Sequence, residues 1–249
     1  LLSTAAMNPA EYANLDAVEP VHWYYAGKRE LVRWWLDRAG PLRRDDLLLD
    51  CGAGTGRFAL ELQERCRVLV LDDHEEALRL LRARFRPEQV LSLSGDAVPL
   101  PDASLNYITA LDVLEHVRAD AAVVQGFHRL LKPGGVAVVT VPASMALWSD
   151  WDEALHHFRR YDRRGLTALF PEAEWTIEYV NYTNVLVFPA VWAIRKWRRL
   201  RPAATQARAE DRLPSPWLNR RLHRVFVKLG QTRFPWPFGV SLILVARKR

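Results

Sequence analysis

A glycine-rich turn near residue 50 constrains the fold of this chain more than any other stretch. Apolar residues run from Leu47 up to Asp50, and Gly52, Gly54 and Gly56 then alternate with small residues. Apolar residues at helical spacing resume after the turn. Glycine lets the backbone turn sharply and lets a ligand contact the main chain. The stretch therefore predicts a buried strand, a tight turn and a helix, in that order.

The spacing of the three glycines limits the kinds of ligand that such a turn can hold. Dinucleotide-binding turns carry G-x-G-x-x-G, with a pyrophosphate at the helix N-terminus. This chain has G-x-G-x-G followed by Arg57 and Phe58, which suits a ligand without a pyrophosphate. A strand-to-helix turn that holds no ligand also favours glycine, so the turn alone leaves both interpretations open.

Candidate strands follow the turn and alternate with helical segments. They lie at residues 67–71, 90–93, 106–111, 136–141, 175–180 and 240–246. Such alternation is typical of α/β folds with a parallel sheet. Asp72 and Asp73 end the second strand, where a carboxylate can accept hydrogen bonds from two ribose hydroxyls. Asp72 could equally cap the following helix.

Length and cysteine content favour one domain in a reducing compartment. A chain of 249 residues can form one large α/β domain with a sizeable core. Cys51 and Cys66 have no metal-binding spacing and give no disulfide framework. No leader is recognisable, and the apolar run from Val185 to Ile194 is too short to cross a bilayer. We therefore expect a cytoplasmic protein.

Charge is distributed unevenly along the chain, whose net charge is +6. Residues 1–194 carry 20 Lys and Arg against 27 Asp and Glu, whereas residues 195–249 carry 15 against 2. A basic C-terminal segment of this kind can face an anionic partner or surface. A solvated arginine-rich face is the alternative.

Five motifs occur in a fixed order between residues 45 and 145. They are the glycine turn after Asp50, the acidic end of the second strand, Gly95-Asp96-Ala97, Asp112-Val113-Leu114-Glu115-His116-Val117, and Arg129-Leu130-Leu131-Lys132-Pro133-Gly134-Gly135. In this order they resemble the class I S-adenosylmethionine-dependent methyltransferases, in particular the small-molecule branch with the DVLEHV motif. The resemblance implies S-adenosylmethionine as the cofactor. It also implies an α/β fold: a Rossmann-like, doubly wound, seven-stranded, mainly parallel sheet with an antiparallel last strand and a helical insertion.

The resemblance assigns cofactor-contacting residues as well. In the family the loop glycines approach the methionine part, the acid after the second strand binds the ribose, and the turn after the third strand lies by the adenine. A helix before the first strand covers the cofactor with aromatic edges and a cation, although here it could be a packing helix only. The expected cofactor-binding residues are Tyr24, Tyr25, Arg29, Asp50, Gly52, Gly54, Gly56, Asp72, Asp73, Asp96, Ala97 and Leu111.

The segment after the fifth strand is where we expect the acceptor, because ligands of open α/β sheets lie beyond the carboxyl ends of the strands. Its His-Phe-Arg-Arg-Tyr end resembles a branch of the family with a histidine before Arg-Arg-Tyr. His157 aligns with that histidine, and an imidazole titrates near neutrality, so we predict His157 and His116 as catalytic groups. The predicted substrate contacts are Trp148, Trp151, Arg160 and Tyr161. The alternative is that His157 only holds the loop by a hydrogen bond.

The motif after the fourth strand bears on nucleic acids and on metals. Methyltransferases of nucleic-acid bases usually carry an Asn/Asp-Pro-Pro-Tyr/Phe turn here, and the different motif predicts no nucleic-acid partner. Asp112, Glu115 and His116 resemble the E-x-x-E-H set that ubiquinone-pathway O-methyltransferases use for a divalent metal. The first acid is shorter in this chain, so we interpret the set as structural and predict no metal.

The stretch between the last two strands is unusually long for this resemblance. We divide the chain into an N-terminal helical cap (1–44), a Rossmann-like core (45–182 and 239–249) and a basic, aromatic helical insertion (183–238). Apolar helical stripes flanked by Arg and Trp within residues 185–229 suit peripheral contact with a membrane. They equally suit a lid over an apolar acceptor.

Three functions are compatible with this sequence. The preferred one is methylation of a small-molecule acceptor in biosynthetic metabolism. The second is methylation of a membrane-associated lipid or polyprenyl-linked acceptor. The third is a non-catalytic module that binds S-adenosylmethionine.

Overall fold

The computed structural model describes residues 9–93, 98–200 and 213–249, and its centre is one seven-stranded sheet. The strand order is β3-β2-β1-β4-β5-β7-β6. The strands are Leu47–Cys51 (β1), Arg67–Leu71 (β2), Val90–Leu91 (β3), Leu105–Leu111 (β4), Leu131–Pro142 (β5), Trp175–Thr183 (β6) and Ser241–Lys248 (β7). Strands β1 to β5 run parallel, and β7 is antiparallel to β5 and β6. The predicted fold class is confirmed.

Helices cover both faces of the sheet. They are Pro9–Val18 (α1), Trp23–Ala39 (α2), Arg57–Leu62 (α3), Glu75–Arg84 (α4), Asp120–Leu130 (α5), Asp150–Ala154 (α6), Arg163–Ala168 (α7), Phe188–Leu200 (α8) and Pro216–Gly230 (α9). Apolar residues of α2, α3, α4 and α9 pack on one face, and those of α5 and α7 pack on the other. Two cores therefore share one sheet, which is the doubly wound arrangement.

The central strands are apolar without interruption because both of their faces are buried. In β5, Val136 and Val138 belong to the core under α2, whereas Ala137 and Val139 belong to the core under α5. Successive side chains of a strand point to opposite faces. The layering places the loops after the parallel strands together at one edge of the sheet.

Several strand bounds differ from the sequence prediction, and the differences in β3 and β5 bear on the motifs. Strand β3 ends at Leu91, two residues earlier than predicted. Strand β5 begins at Leu131, because Leu131 pairs with Leu105 ahead of a register shift in the ladder. The predicted Lys-Pro-Gly-Gly turn is thus contained in the strand, where Gly134 has a φ of 79° that favours glycine.

The predicted insertion contains the two helices α8 and α9. Helix α9 packs against α2 through Phe226, Val227 and Gly230. Among the described residues, no helix combines the length and apolar content needed to cross a bilayer. The three-part division of the chain remains a prediction.

Candidate functional site

The three glycines of the turn after β1 have different surroundings. All are left-handed, with φ values of 69°, 55° and 76° for Gly52, Gly54 and Gly56. A Cβ atom at Gly52 would lie 2.5 Å from Val113, and one at Gly56 would lie 2.6 Å from Phe85. A Cβ atom at Gly54 would meet nothing within 4 Å. Packing therefore requires Gly52 and Gly56, whereas Gly54 faces open space that a ligand could enter.

Asp72, at the end of β2, joins this turn by accepting main-chain hydrogen bonds. Its carboxylate accepts from the N–H of Gly54 at 2.9 Å and from that of His74 at 3.0 Å. Burial raises the pKa of Asp72, although these two hydrogen bonds oppose the shift. Each carboxylate oxygen keeps capacity for a further donor. The neighbouring Asp73 is exposed. The open space at Gly54 beside this carboxylate fits the ribose and methionine parts of S-adenosylmethionine.

Asp50 lies beneath the turn and is buried. Thr109 of β4 donates a hydrogen bond to it at 2.7 Å. Burial raises the pKa of Asp50 to about 7, with Glu19 and Asp72 adding to the shift. Leu111, which ends β4, is half-buried at the same edge. The predicted adenine contacts Asp96 and Ala97 lie outside the described residues.

Helix α2 covers the carboxyl ends of the strands. The Tyr24 hydroxyl lies 3.3 Å from Ser241 Oγ, and Lys28 Nζ donates to Asp112 Oδ2 at 2.6 Å. The same ammonium lies 5.1 Å from the centre of the Tyr24 ring and 5.8 Å from that of Tyr25. Burial lowers the pKa of Lys28, but Asp112 and the tyrosines outweigh it and raise that pKa. The predicted helical cover thus carries a cation directly over the strand ends.

That cation is Lys28 rather than the predicted Arg29. Arg29 is buried and donates to Glu61 Oε1 at 2.8 Å and to the Glu19 carbonyl at 2.9 Å. Its guanidinium is held by these acids within the cap, which disfavours the predicted contact with the cofactor carboxylate. Lys28 lies one helical turn after Tyr24, and that i, i+4 relation was the available signal.

The segment after β5 folds back onto the turn that follows β4. Its ends are joined where the Tyr161 N–H donates to the Pro142 carbonyl at 2.9 Å and the Ser144 N–H donates to the Tyr161 carbonyl at 2.8 Å. The Phe158 N–H then donates to the Glu115 carbonyl at 2.8 Å. These main-chain bonds bring the predicted catalytic residues together.

The His116 and His157 rings lie 4.6 Å apart between their centres, with an interplanar angle of 85°. His157 Nδ1 is 2.9 Å from Asp152 Oδ1. Asp152 is fully buried and also accepts from Arg160 Nε at 2.6 Å, with Arg195 Nη1 at 3.4 Å. Burial raises the pKa of Asp152, but these three partners outweigh it and lower that pKa to about 2. Asp152 therefore stays ionised and fixes the orientation of His157.

Glu115 and His116 have the opposite electrostatic character. Burial and the neighbouring His157 lower the pKa of His116 to about 4, so its imidazole is neutral near pH 7. Glu115 is fully buried, and burial followed by Asp112 raises its pKa well above the usual range. Among the described residues, no group forms a hydrogen bond of normal geometry with either carboxyl oxygen of Glu115. The loop therefore presents a neutral imidazole and an unpartnered carboxyl side by side.

The predicted substrate contacts divide into two pairs. Arg160 is buried against Asp152 and the Ala143 carbonyl. Tyr161 is buried too, and its hydroxyl donates to Asp120 at 2.8 Å. These bonds favour a supporting role for both residues over contact with an acceptor. Trp148 and Trp151 remain half-buried on the same loop. Sequence reasoning missed Asp152 and Arg195, since nothing local distinguishes either one.

A family model described as a methyltransferase domain matches residues 24–180. The chain belongs to this family. The match spans the glycine turn, Asp72 and the two histidines, so the site just described lies inside the domain.

Curated relatives resemble the domain over part of their length. A probable S-adenosylmethionine-dependent methyltransferase of Mycolicibacterium smegmatis is 32% identical over 137 residues, covering 54% of this chain and 53% of the relative. A ubiquinone/menaquinone biosynthesis C-methyltransferase of Coxiella burnetii is 29% identical over 146 residues, covering 50% and 58%. The chain spans about half the length of the curated relatives it matches. The predicted family and its cofactor are confirmed, and the small-molecule branch stays a prediction.

Solved structures show the methyltransferase fold at low identity. A Haloferax volcanii methyltransferase, solved with a methyltransferase activator, has a TM-score of 0.62 at 19% identity and covers 96% of this chain and 94% of its own. A Haemonchus contortus phosphoethanolamine N-methyltransferase, solved with S-adenosylmethionine, has a TM-score of 0.57 at 15% identity, with coverages of 86% and 51%. These likenesses bear on the fold alone.

Among the described residues of the domain, four non-glycine residues have left-handed backbone, and all but Ala103 lie in loops at the same edge. Asp112, Ser144 and His156 have φ values of 57°, 63° and 55°, in the left-handed region that non-glycine residues seldom adopt. Each lies in a loop that borders the two histidines. Strained backbone of this kind clusters at functional sites.

A groove of about 480 Å³ lies at the opposite edge of the sheet. It is lined in part by Leu47, Gln63, Arg67 and Gln89, at the amino ends of β1 and β2. Ligands of open α/β sheets bind at the carboxyl ends. We therefore place the functional site at the glycine turn and the histidine pair rather than in this groove.

Proposed function

We propose that this domain transfers the methyl group of S-adenosylmethionine to a small-molecule acceptor in biosynthetic metabolism. The observation that carries the proposal is the open space at Gly54 on the same sheet edge as the half-buried His116–His157 pair. S-adenosylmethionine supplies an already activated methyl group. The protein has to align the acceptor, exclude water and take up a proton where the acceptor carries one.

The cofactor would lie between the glycine turn and helix α2. Gly54 gives it access to the main chain, and the Asp72 carboxylate accepts from the ribose hydroxyls. Tyr24 and Tyr25 cover it from α2, and Lys28 adds a positive charge on that side. The predicted contacts of Asp50, Asp73 and Leu111 are part of the same proposal.

The acceptor would lie at the histidine pair. His157 is oriented by an ionised Asp152, so one ring nitrogen is fixed and the other can face the acceptor. His116 adds a neutral imidazole beside it. Trp148 and Trp151 border the loop and supply apolar walls. We assign proton transfer from the acceptor to this pair, with His157 in the leading role.

The test is methyl transfer from labelled S-adenosylmethionine into cell extract, with cofactor affinity measured separately by calorimetry. His157→Ala should keep cofactor affinity and lower kcat by about 10²–10⁴-fold, as loss of a general acid–base group does. The matched control is His156→Ala, since His156 is the exposed neighbour. A near-normal rate for His157→Ala would point to alignment alone. An absence of any transfer by the unaltered chain would favour the non-catalytic module.

A membrane-associated lipid or polyprenyl-linked acceptor is a second candidate, favoured by the surface of α8 and α9. Neither helix contains an acidic residue. Trp197 is 60% exposed and Trp217 is 59% exposed. Lys196 and Arg221 lie over exposed tryptophan rings at 4.9 Å each. Exposed Trp with Lys and Arg on a helix suits the interface of an anionic membrane.

The same helix reaches the proposed acceptor site. Arg195 of α8 is buried, and its guanidinium donates to the Leu147 carbonyl and lies 3.4 Å from Asp152. Asp152 holds His157. A surface suited to lipid is therefore linked by two contacts to the predicted catalytic imidazole, which would place a lipid-borne acceptor near it.

Co-sedimentation with vesicles separates the two candidates. The chain should sediment with phosphatidylcholine vesicles that contain phosphatidylglycerol, but not with phosphatidylcholine alone, and added salt should weaken the binding. Arg220→Glu with Arg221→Glu should abolish sedimentation. Arg79→Glu with Arg82→Glu, on exposed α4, serves as the matched control. Equal sedimentation of both double variants would argue against this surface.

A further inference from the structure

Three potential metal ligands converge at the proposed acceptor end of the site. Glu115 and His116 come from the short 3₁₀ turn Leu114–His116 after β4, and His157 comes from the loop after α6. One ligand atom from each lies within 4.8 Å of those of the other two. The three residues are buried or half-buried, so the group is enclosed rather than a surface cluster.

The buried carboxyl group of Glu115 is the main evidence for a ligand at this place. Both carboxyl oxygens are buried, and neither has a hydrogen-bond partner among the described residues. A buried polar group without a partner is costly, and native proteins seldom keep one without a reason. A bound cation would give this carboxylate the partner that the surrounding side chains do not.

His157 is oriented as a metal-binding imidazole usually is. In metal sites the second ring nitrogen commonly bonds a carboxylate or a main-chain carbonyl. His157 Nδ1 is bonded to Asp152 at 2.9 Å, which leaves Nε2 for another partner. The His116 ring lies 4.6 Å from the His157 ring between their centres. Both imidazoles are therefore placed to offer a nitrogen to one ion.

The set differs from the contiguous one that the sequence suggested. Asp112 is occupied, since its Oδ2 accepts from Lys28 at 2.6 Å and its Oδ1 accepts from Thr140 at 2.9 Å. His157 takes the third place instead, from a loop 41 residues further along the chain. Two imidazoles and one carboxylate suit Zn²⁺ and related transition ions, whereas Mg²⁺ prefers oxygen ligands.

We propose that Glu115, His116 and His157 bind one divalent transition-metal ion, with zinc as the best match, at the acceptor end of the site. Three protein ligands leave a coordination position open, as in catalytic zinc sites. A hydroxyl oxygen of the acceptor can occupy that position. The ion would lower the pKa of the hydroxyl, whose proton passes to water. The oxygen would then form the O–CH3 bond as the S–CH3 bond of S-adenosylmethionine breaks, and S-adenosylhomocysteine would leave.

This inference rests on the proposed function and deepens it. With the ion bound, His116 and His157 act as its ligands, and the acceptor's proton passes to water instead of to the histidine pair. Asp152 would support the ion indirectly, because it positions His157 and is itself bound by Arg160 and Arg195. Binding of the ion itself requires neither cofactor nor acceptor, so it can be measured alone.

The test is titration of zinc chloride into the chelator-treated chain by calorimetry, followed by cobalt substitution read from visible absorption bands. We expect one zinc per chain and cobalt bands of a low-symmetry site. Glu115→Gln, which keeps the shape of the side chain, and His157→Asn should each lose the bands and weaken zinc binding by at least 100-fold. His156→Asn is the matched control, because His156 is the adjacent exposed histidine, and it should bind zinc normally.

Thermal unfolding of each variant checks that loss of zinc is not loss of fold. Zinc binding that is absent in the unaltered chain, or that survives both Glu115→Gln and His157→Asn, would overturn the metal site. If zinc does not bind but labelled methyl is still transferred, the proposed function stands and the metal site fails. If zinc binds but transfer is unchanged without it, the proposed role of the ion in the transfer is overturned. If zinc binds but S-adenosylmethionine does not, the proposed function fails and the metal site stands.

Discussion

The proposed cofactor end and the proposed acceptor end of this site are held together in different ways. At the cofactor end, Asp72 accepts main-chain hydrogen bonds from Gly54 and His74, which are its close neighbours in the fold. At the acceptor end, Asp152 binds the side chains of His157, Arg160 and Arg195, and the Glu115 carboxyl group has no hydrogen-bond partner among the described residues. The acceptor end therefore adds a network of ionisable side chains to the main-chain bonds that join its loops.

The difference predicts how each end responds to mutation. Substitutions of groups that face the open space at Gly54 should change ligand affinity more than they change the fold, because those groups are not packed against the core. Substitutions in the acceptor-end network should change the fold strongly, because each removed partner leaves a buried charge behind. Four measurements test this difference between the two ends.

The largest effect is expected at Asp152. Asp152→Ala leaves the buried Arg160 and Arg195 without their shared carboxylate. Breaking a buried pair in this way typically costs about 3–5 kcal/mol in the free energy of unfolding. Asp150→Ala is the control, because Asp150 is exposed on the same short helix. A loss under 1 kcal/mol by urea denaturation, about the size of a surface pair, would show that this network is not what holds the loop.

The turn glycines give the next largest effect. Gly56→Ala should lower the free energy of unfolding for two reasons. A non-glycine residue in the left-handed region costs about 1–2 kcal/mol, and overpacking against Leu81 and Phe85 costs about 1–3 kcal/mol. Gly54→Ala carries only the first cost, since a Cβ there meets nothing within 4 Å. Gly54→Ala should instead weaken S-adenosylmethionine binding. Equal unfolding free energies for the two variants would contradict the division into packing and ligand-facing glycines.

Asp72 tests affinity at the cofactor end. Asp72→Ala should weaken S-adenosylmethionine binding by about 1.5–3 kcal/mol, as expected for hydrogen bonds to a charged group. Asp73→Ala is the matched neighbour and should have a smaller effect, because Asp73 is exposed. Calorimetry gives both values directly. Affinity that is unchanged in a folded Asp72→Ala variant would remove Asp72 from the cofactor site.

The arrangement of the glycine turn and Asp72 was predictable from sequence because these residues are close together in the chain. The glycine spacing and the acid after β2 fall within 23 residues, from Asp50 to Asp72, and strand–turn–helix geometry then fixes where they meet. The fold was predictable for a similar reason, since apolar runs and helical stripes alternate along the chain. What local pattern could not decide was which of two adjacent cations on α2, Lys28 or Arg29, faces the ligand space.

The acceptor end was predictable only in part, because its partners are distant in sequence. His157 was found through its motif. Arg195, however, lies 43 residues after Asp152 along the chain, with β6 between them in sequence. Asp112 was grouped with Glu115 and His116 because they share one motif, yet Lys28 from the cap occupies it. Long-range ion pairing of this kind leaves no periodic signal in the sequence. The proposed set of metal ligands could therefore be derived only from the structure.

The last effect concerns the pH dependence of stability at the cofactor end. The pKa of Asp50 is raised to about 7 by burial, so between roughly pH 4 and pH 7 the folded chain keeps a proton on Asp50 that the unfolded chain has lost. Stability therefore falls as pH rises through this window, by up to about 1.4 kcal/mol per pH unit from this group. Asp50→Asn keeps an acceptor for Thr109 but cannot ionise. The unfolding free energy of the variant relative to the unaltered chain should rise across the window and level off above pH 7. A constant difference from pH 4 to pH 8 would show that Asp50 is ionised in the folded domain, and that this end too relies on charge.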